Sequence, residues 1–337
     1  MRGFRPVVPA ALVLMLVFAL AACGDDDPGA AADTSSGSDA GSAGGPESGS
    51  ASGPESYGEF SPVSDVDPHA AIGQDIAEIK ELIDVAEDGG AVDWAAVLAV
   101  FEDGGNSIKS DGSVRTLAGL VEAPEVLVVV TDAIDGTGAA AGADDAVRRQ
   151  VVDKGISALL RAKVLDELEA AADKLADDET DADSGAPHNV DEAWAFFTAE
   201  GNGPATTAEK RAADFGLDGE VREAVEAALS DAQAAALDGD TAAFAEAAEE
   251  VQGALNFVYY LATYKYLETD GDPVTAAEGR TFFLAIAETV AGADEEAANA
   301  VTAAFDSGDF EAGREALNRP GVAEALGLGL DQVIDAS

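Results

Sequence analysis

Over residues 147–175, apolar side chains recur at helical spacing as Val151, Ile156, Leu159, Leu160, Val164 and Leu168, a run far longer than a strand. A helix of that length must bury its stripe against neighbours, and the rest of the chain supplies more helices rather than a sheet. Residues 70–87 carry Ile72, Ile76, Ile79, Leu82, Ile83 and Ala86 at the same period and stop at Gly89-Gly90, after which Asp93-Trp94 opens a helix through Phe101. The β-branched run 126–130 has no evident partner strand and reads as a buried helix between Pro124 and Gly136. Helices are predicted again over 217–237, 241–267, 275–291, 294–305 and 310–317, with Asp238-Gly239-Asp240 and Ser307-Gly308-Asp309 as tight turns between neighbours. Short turns between amphipathic helices imply an antiparallel multi-helix bundle, so the expected fold is an all-α domain over residues 66–335.

The chain before that domain has a different character. Arg2 and Arg5 precede an apolar stretch, 7–20, too short for an ordinary membrane span, and Leu20-Ala21-Ala22-Cys23 has the form of a lipobox. Residues 1–22 are therefore read as a lipoprotein signal peptide and Cys23, the only cysteine, as the lipidated first residue of the mature protein. Palmitate-type acyl chains on one residue would hold it to a membrane. An ordinary secretory signal with a chance cysteine is the alternative; either reading puts the mature protein outside the cytoplasm, in a bacterium, without a disulfide. Residues 23–65, rich in Gly, Ser, Ala, Asp and Pro, have little to bury and read as a flexible tether with a reach of roughly 35 Å.

A formal net charge of −48 makes nucleic acid and anionic lipid poor partners. Uniform acidity with few lysines suits a protein kept soluble in high salt, and a salt-adapted, halophilic source is expected. Because carboxylates are everywhere, only the rare histidines and tyrosines can point to a metal site. His188, one of two histidines, heads the stretch 187–216, with Asp191 and Glu192 just after it. Asn189 and Glu192 match the two halves of a capping box, which puts His188 just before a helix and the two acids in its first turn. An imidazole and two carboxylates at one helix end form an N/O set suited to iron, manganese or zinc, although acids in a first turn also complement the helix dipole with no ligand present.

His69 stands before the first helix, with Asp75 and Glu78 following at spacings that can face the same end. In the helix 251–268, which holds four of the five tyrosines, Asn256, Tyr260 and Tyr264 form an i, i+4, i+8 ridge. Phenolate suits ferric iron, so that ridge, if it faces His188, completes a site; otherwise the tyrosines are core residues. The full candidate ligand set is His69, Glu78, His188, Asp191, Glu192, Tyr260 and Tyr264.

The run His188-Asn189-Val190-Asp191-Glu192-Ala193-Trp194-Ala195-Phe196-Phe197, followed by Ala208-Glu209-Lys210-Arg211-Ala212-Ala213-Asp214-Phe215-Gly216, resembles the central signature of the low-iron-inducible periplasmic protein family. Val66-Asp67-Pro68-His69-Ala70-Ala71-Ile72-Gly73-Gln74-Asp75-Ile76 and the tyrosine-rich stretch 254–268 fit it as well. The resemblance implies an all-helical extracytoplasmic protein associated with iron, and supplies no ligand list of its own. No nucleophile elbow, P-loop, dinucleotide or HExxH pattern occurs, so an enzyme is not expected. Two functions remain open: a membrane-anchored lipoprotein that binds iron or a related metal and assists its uptake, passing it to a transporter, or a cell-surface helical module that binds another protein and has no metal site.

Overall fold

Caps and prolines set where the helices begin. In the computed structural model, which describes residues 60–217, 219–269, 271–329 and 332–334, Asp67–Ala70 (α1) and Ile72–Asp84 (α2) form one broken run with Pro68 in its first turn. Trp94–Asp103 (α3) is capped by Asp93, whose carboxylate accepts the Ala96 N–H. Pro124–Asp135 (α4) takes in the β-branched run, as expected. Asp145–Ala176 (α5) starts where Asp144 accepts the Val147 N–H. Then follow Ala186–Phe197 (α6), Pro204–Phe215 (α7), Glu220–Asp238 (α8) and Thr241–Leu267 (α9). Pro273–Leu284 (α10), Ala287–Ala293 (α11), Glu295–Ser307 (α12), Phe310–Leu317 (α13) and Pro320–Ala325 (α14) complete the order. The described residues contain no strand; one isolated bridge, Ile108 to Val114, closes the loop after α3.

The fold is all-α. The expected helix 275–291 is divided at Ala285-Ile286, and the break lets Ile286 and Val290 both reach the core, at 1% and 0% exposure. The signal, Cys23 and most of the tether lie outside the described residues. Residues 60–65, assigned to the tether on composition, lie against the domain, with Phe60 buried and stacked on Trp194 at 5.3 Å between ring centres.

Two hydrophobic cores share α9. The first joins α2 to α6, α8 and the front half of α9 through Val251 and Leu255. The second gathers Val258 to Leu267 of α9, Ala208 and Ala212 of α7, and helices α10 to α14. Helix α5 is the hub of the first core, packing on α4, α6 and α10. It approaches α4 so closely that a Cβ on Gly155 would overlap Val130 Cγ2, so alanine there requires the Val130 side chain or its helix to shift.

Candidate metal centre

Helix α6 begins one turn earlier than the capping-box reading expects. Proline is preorganised for a first helical turn, and Pro187 holds that place after the extended Gly185. His188 and Asn189 therefore lie inside the helix, and Asn189 is not its cap. Every residue of α6 is buried. His188 and Glu192, one turn apart, share a face, and His188 Nε2 lies 3.0 Å from Glu192 Oε1.

Helix α1 brings the second histidine to the same atom. Pro68 opens α1, which places His69 within it, with Nε2 2.9 Å from Glu192 Oε1. The two imidazoles meet edge to face at 5.9 Å, and Phe196 closes the other side of His69 at 6.0 Å. From α5, Glu167 hydrogen-bonds Glu192, accepts from Lys163 Nζ at 2.7 Å on Oε1 and from Asn189 Nδ2 at 2.7 Å on Oε2. His69 and Glu192 are 2% exposed, Glu167 3% and His188 8%.

Burial and the neighbouring Glu192 carboxylate push the Glu167 carboxyl up to about 8, so it keeps its proton at neutral pH. Burial also opposes ionisation of Glu192, but hydrogen bonds from His188 and His69 outweigh it and hold Glu192 well below the usual carboxylate range. Burial works against a charged His188 too; Glu192 and Asp191 overcome it and raise its pKa. The arrangement is one anion, Glu192, surrounded by donors in a dry interior.

The other expected ligands go elsewhere. Asp191 turns away from the histidines: Oδ2 accepts from Val63 N (2.9 Å), Ser64 N (2.8 Å) and Ser64 Oγ (2.6 Å), and Oδ1 accepts from Gln233 Nε2 (2.5 Å). Glu78 is exposed on α2, and its neighbour Asp75 instead accepts from Asn106 Nδ2 at 2.6 Å. The ridge on α9 faces the second core and not His188. Tyr260 Oη donates to Asn318 Oδ1 at 2.8 Å and accepts the Ile334 N–H at 2.9 Å, and Tyr264 packs on the Tyr260 ring at 5.9 Å. Burial pushes the Tyr260 phenol up, so it stays neutral and acts as a packing and hydrogen-bonding residue. Asn256 accepts from Arg161 Nη2 at 2.6 Å.

Sequence reasoning missed Glu167, Lys163 and Ser64. Glu167 carried a signal: it falls at helical spacing between Val164 and Ala171, on the buried stripe of α5, where an acid has no ordinary place. Ser64 had none, because its role depends on a contact far along the chain.

As the side chains stand, no set of three or more His, Cys, Asp and Glu among the described residues is arranged as a metal cage. Both Nε2 atoms are turned onto one Glu192 oxygen, while His69 Nδ1 is buried without a hydrogen-bond partner. Two imidazoles and two carboxylates within hydrogen-bonding reach are nonetheless a donor set that fits a first-row divalent ion. The molecule is thus an all-helical protein with a buried histidine–carboxylate centre. The chain belongs to the low iron-inducible periplasmic protein family, whose model matches residues 38–263 and so takes in both histidines and all of α6. An extracytoplasmic location and a connection with iron go with that membership. No curated protein and no solved structure matches the chain. No helix among the described residues is long and apolar enough to cross a membrane.

Proposed function

We propose that the protein is a non-catalytic, extracytoplasmic iron carrier, with His69, His188 and Glu192 as cargo ligands and Glu167 as a fourth group able to join them. The observation that carries this reading is convergence: the only two histidines of the chain, from separate helices, reach the same buried carboxylate oxygen. A core needs no such arrangement, since burying ionisable groups costs stability unless they are well paired. Coordination of iron by Nε2 of both rings would replace the hydrogen bonds to Glu192 and free that carboxylate to bind the ion as well. A lipid on Cys23 would keep the carrier at the membrane, where it can hand its cargo to a transporter.

The test is ferrous iron binding to the purified protein, measured anaerobically at high salt so that diffuse attraction to the many carboxylates is screened. One tight, salt-resistant equivalent that is lost in both His188→Ala and His69→Ala supports the carrier. Binding that fades with salt and ignores both histidines sinks it, and leaves the histidine pair as structure within a helical interaction module.

A further inference from the structure

His69 and Glu192 are 2% exposed and His188 8%, in contact with one another and with Glu167 of α5, so an ion reaches them only if something moves aside. Against His188 and Asp191 lies a non-helical strap, residues 60–66. One end is pegged in the first core by Phe60, stacked on Trp194, and the other is buried at Val66, which is 3% exposed. Its middle is open to solvent at Ser61, Val63 and Asp65. Side chains of the domain hold that middle in place: the Asp191 carboxylate takes both amides at Val63 and Ser64, and Gln233 Nε2 bridges Asp191 to the Ser61 carbonyl at 3.1 Å.

The strap also touches the centre. Ser64 Oγ lies 2.6 Å from Asp191 Oδ2, to which it donates, and 2.8 Å from His188 Nδ1, from which it then accepts. A ring fixed by its Nδ1–H offers Nε2 to a metal, as outer-shell partners of metal-binding histidines generally arrange. His188 is also where the centre comes nearest to solvent, at 8% exposure against 2% for His69 and Glu192. Lifting Ser64 therefore uncovers the most accessible ligand and releases its orientation in one movement.

We propose that residues 60–66 form a cover over the metal centre, latched by Asp191, and that unlatching sets how fast metal is taken up and let go. This rests on the carrier reading above. It gives Asp191 a role its position beside Glu192 conceals: it is a positioning residue and not a ligand.

The experiment is stopped-flow measurement of ferrous iron uptake, and of release to a chelator, in the whole protein and in Asp191→Asn. Replacing a carboxylate that accepts three bonds from the strap weakens the latch by the equivalent of at least one hydrogen bond, so both rates should rise about tenfold or more. Affinity should change far less, because arrival and departure pass the same cover. His-dependent binding with unaltered rates in Asp191→Asn overturns the cover and leaves the carrier standing. Absence of His-dependent binding in the wild type overturns both. Should Asp191→Asn fail to fold, Phe60→Ala, which removes a peg and leaves Asp191 intact, answers the same question by the same two rates.

Discussion

The histidine centre and the tyrosine cluster are both buried polar groups on helices, yet they are built in opposite ways. In the second core, each tyrosine hydroxyl with a described bond has partners of ordinary kind. Tyr260 is held by Asn318 and the Ile334 amide, and Tyr259 Oη donates to the Ser157 carbonyl at 2.7 Å. Burial pushes the phenols of Tyr259, Tyr260 and Tyr266 up, so none carries charge at neutral pH. In the first core, two imidazoles compete for one carboxylate oxygen, a second carboxyl keeps its proton, and His69 Nδ1 is left without a partner. The tyrosine hydroxyls find partners of their own, whereas the histidine centre shares one carboxylate oxygen and still leaves His69 Nδ1 unpartnered.

That contrast can be broken by substitution. Glu192→Ala should have the largest effect, because it strips both histidines and Glu167 of their shared partner; the cost is about 3 kcal/mol of unfolding free energy with loss of the iron equivalent. Chemical denaturation and metal titration on one sample measure both. Tyr260→Phe should cost about 1 kcal/mol, since its Asn318 and Ile334 partners lose their bonds, and should leave iron binding untouched. Iron loss in Tyr260→Phe with the fold intact would erase the distinction between the two cores.

A smaller effect sharpens it. Glu167 is raised in the folded state to about 8, so the native protein binds more protons than the unfolded chain between the ordinary carboxylate range and that value. His188, also raised, contributes stability that is present below its unfolded pKa and lost as pH rises through the folded one. Both act in one direction, and stability of the metal-free protein should fall from about pH 6 to pH 8. Glu192, being lowered, acts only at acid pH, where its contribution is lost as pH falls. Glu167→Gln should flatten the slope, as read from denaturation midpoints across that range, whereas Tyr260→Phe should leave the slope unchanged.

Much of the architecture was legible because apolar period and turn chemistry agree. The bounds of α9 and α13 are those the pattern predicts, with Asp240 and Asp309 capping them. The start of α6 was misplaced because Asn189 and Glu192 imitate a capping box while Pro187 already opens the helix. Convergence of His69 and His188 could be posed from sequence only as a condition, since it depends on α1 packing against α6. The ridge on α9 was drawn on one face correctly, but periodicity says which residues share a face and not what the face meets. Asp191 was a ligand by adjacency; its neighbour in the chain points into the centre, and it points out of it.

Helix α9 runs without a break through both cores, and the family model ends at Thr263, inside it. A truncation at that natural-looking limit would cut a continuous rod before its final turn and remove α10 to α14, which share the second core with Val258, Leu261 and Ala262. The shed piece would lose the apolar wall against which α10 and α13 are folded. Kinship along the chain and mechanical independence thus have different boundaries here, and anyone trimming the protein for expression should follow the second.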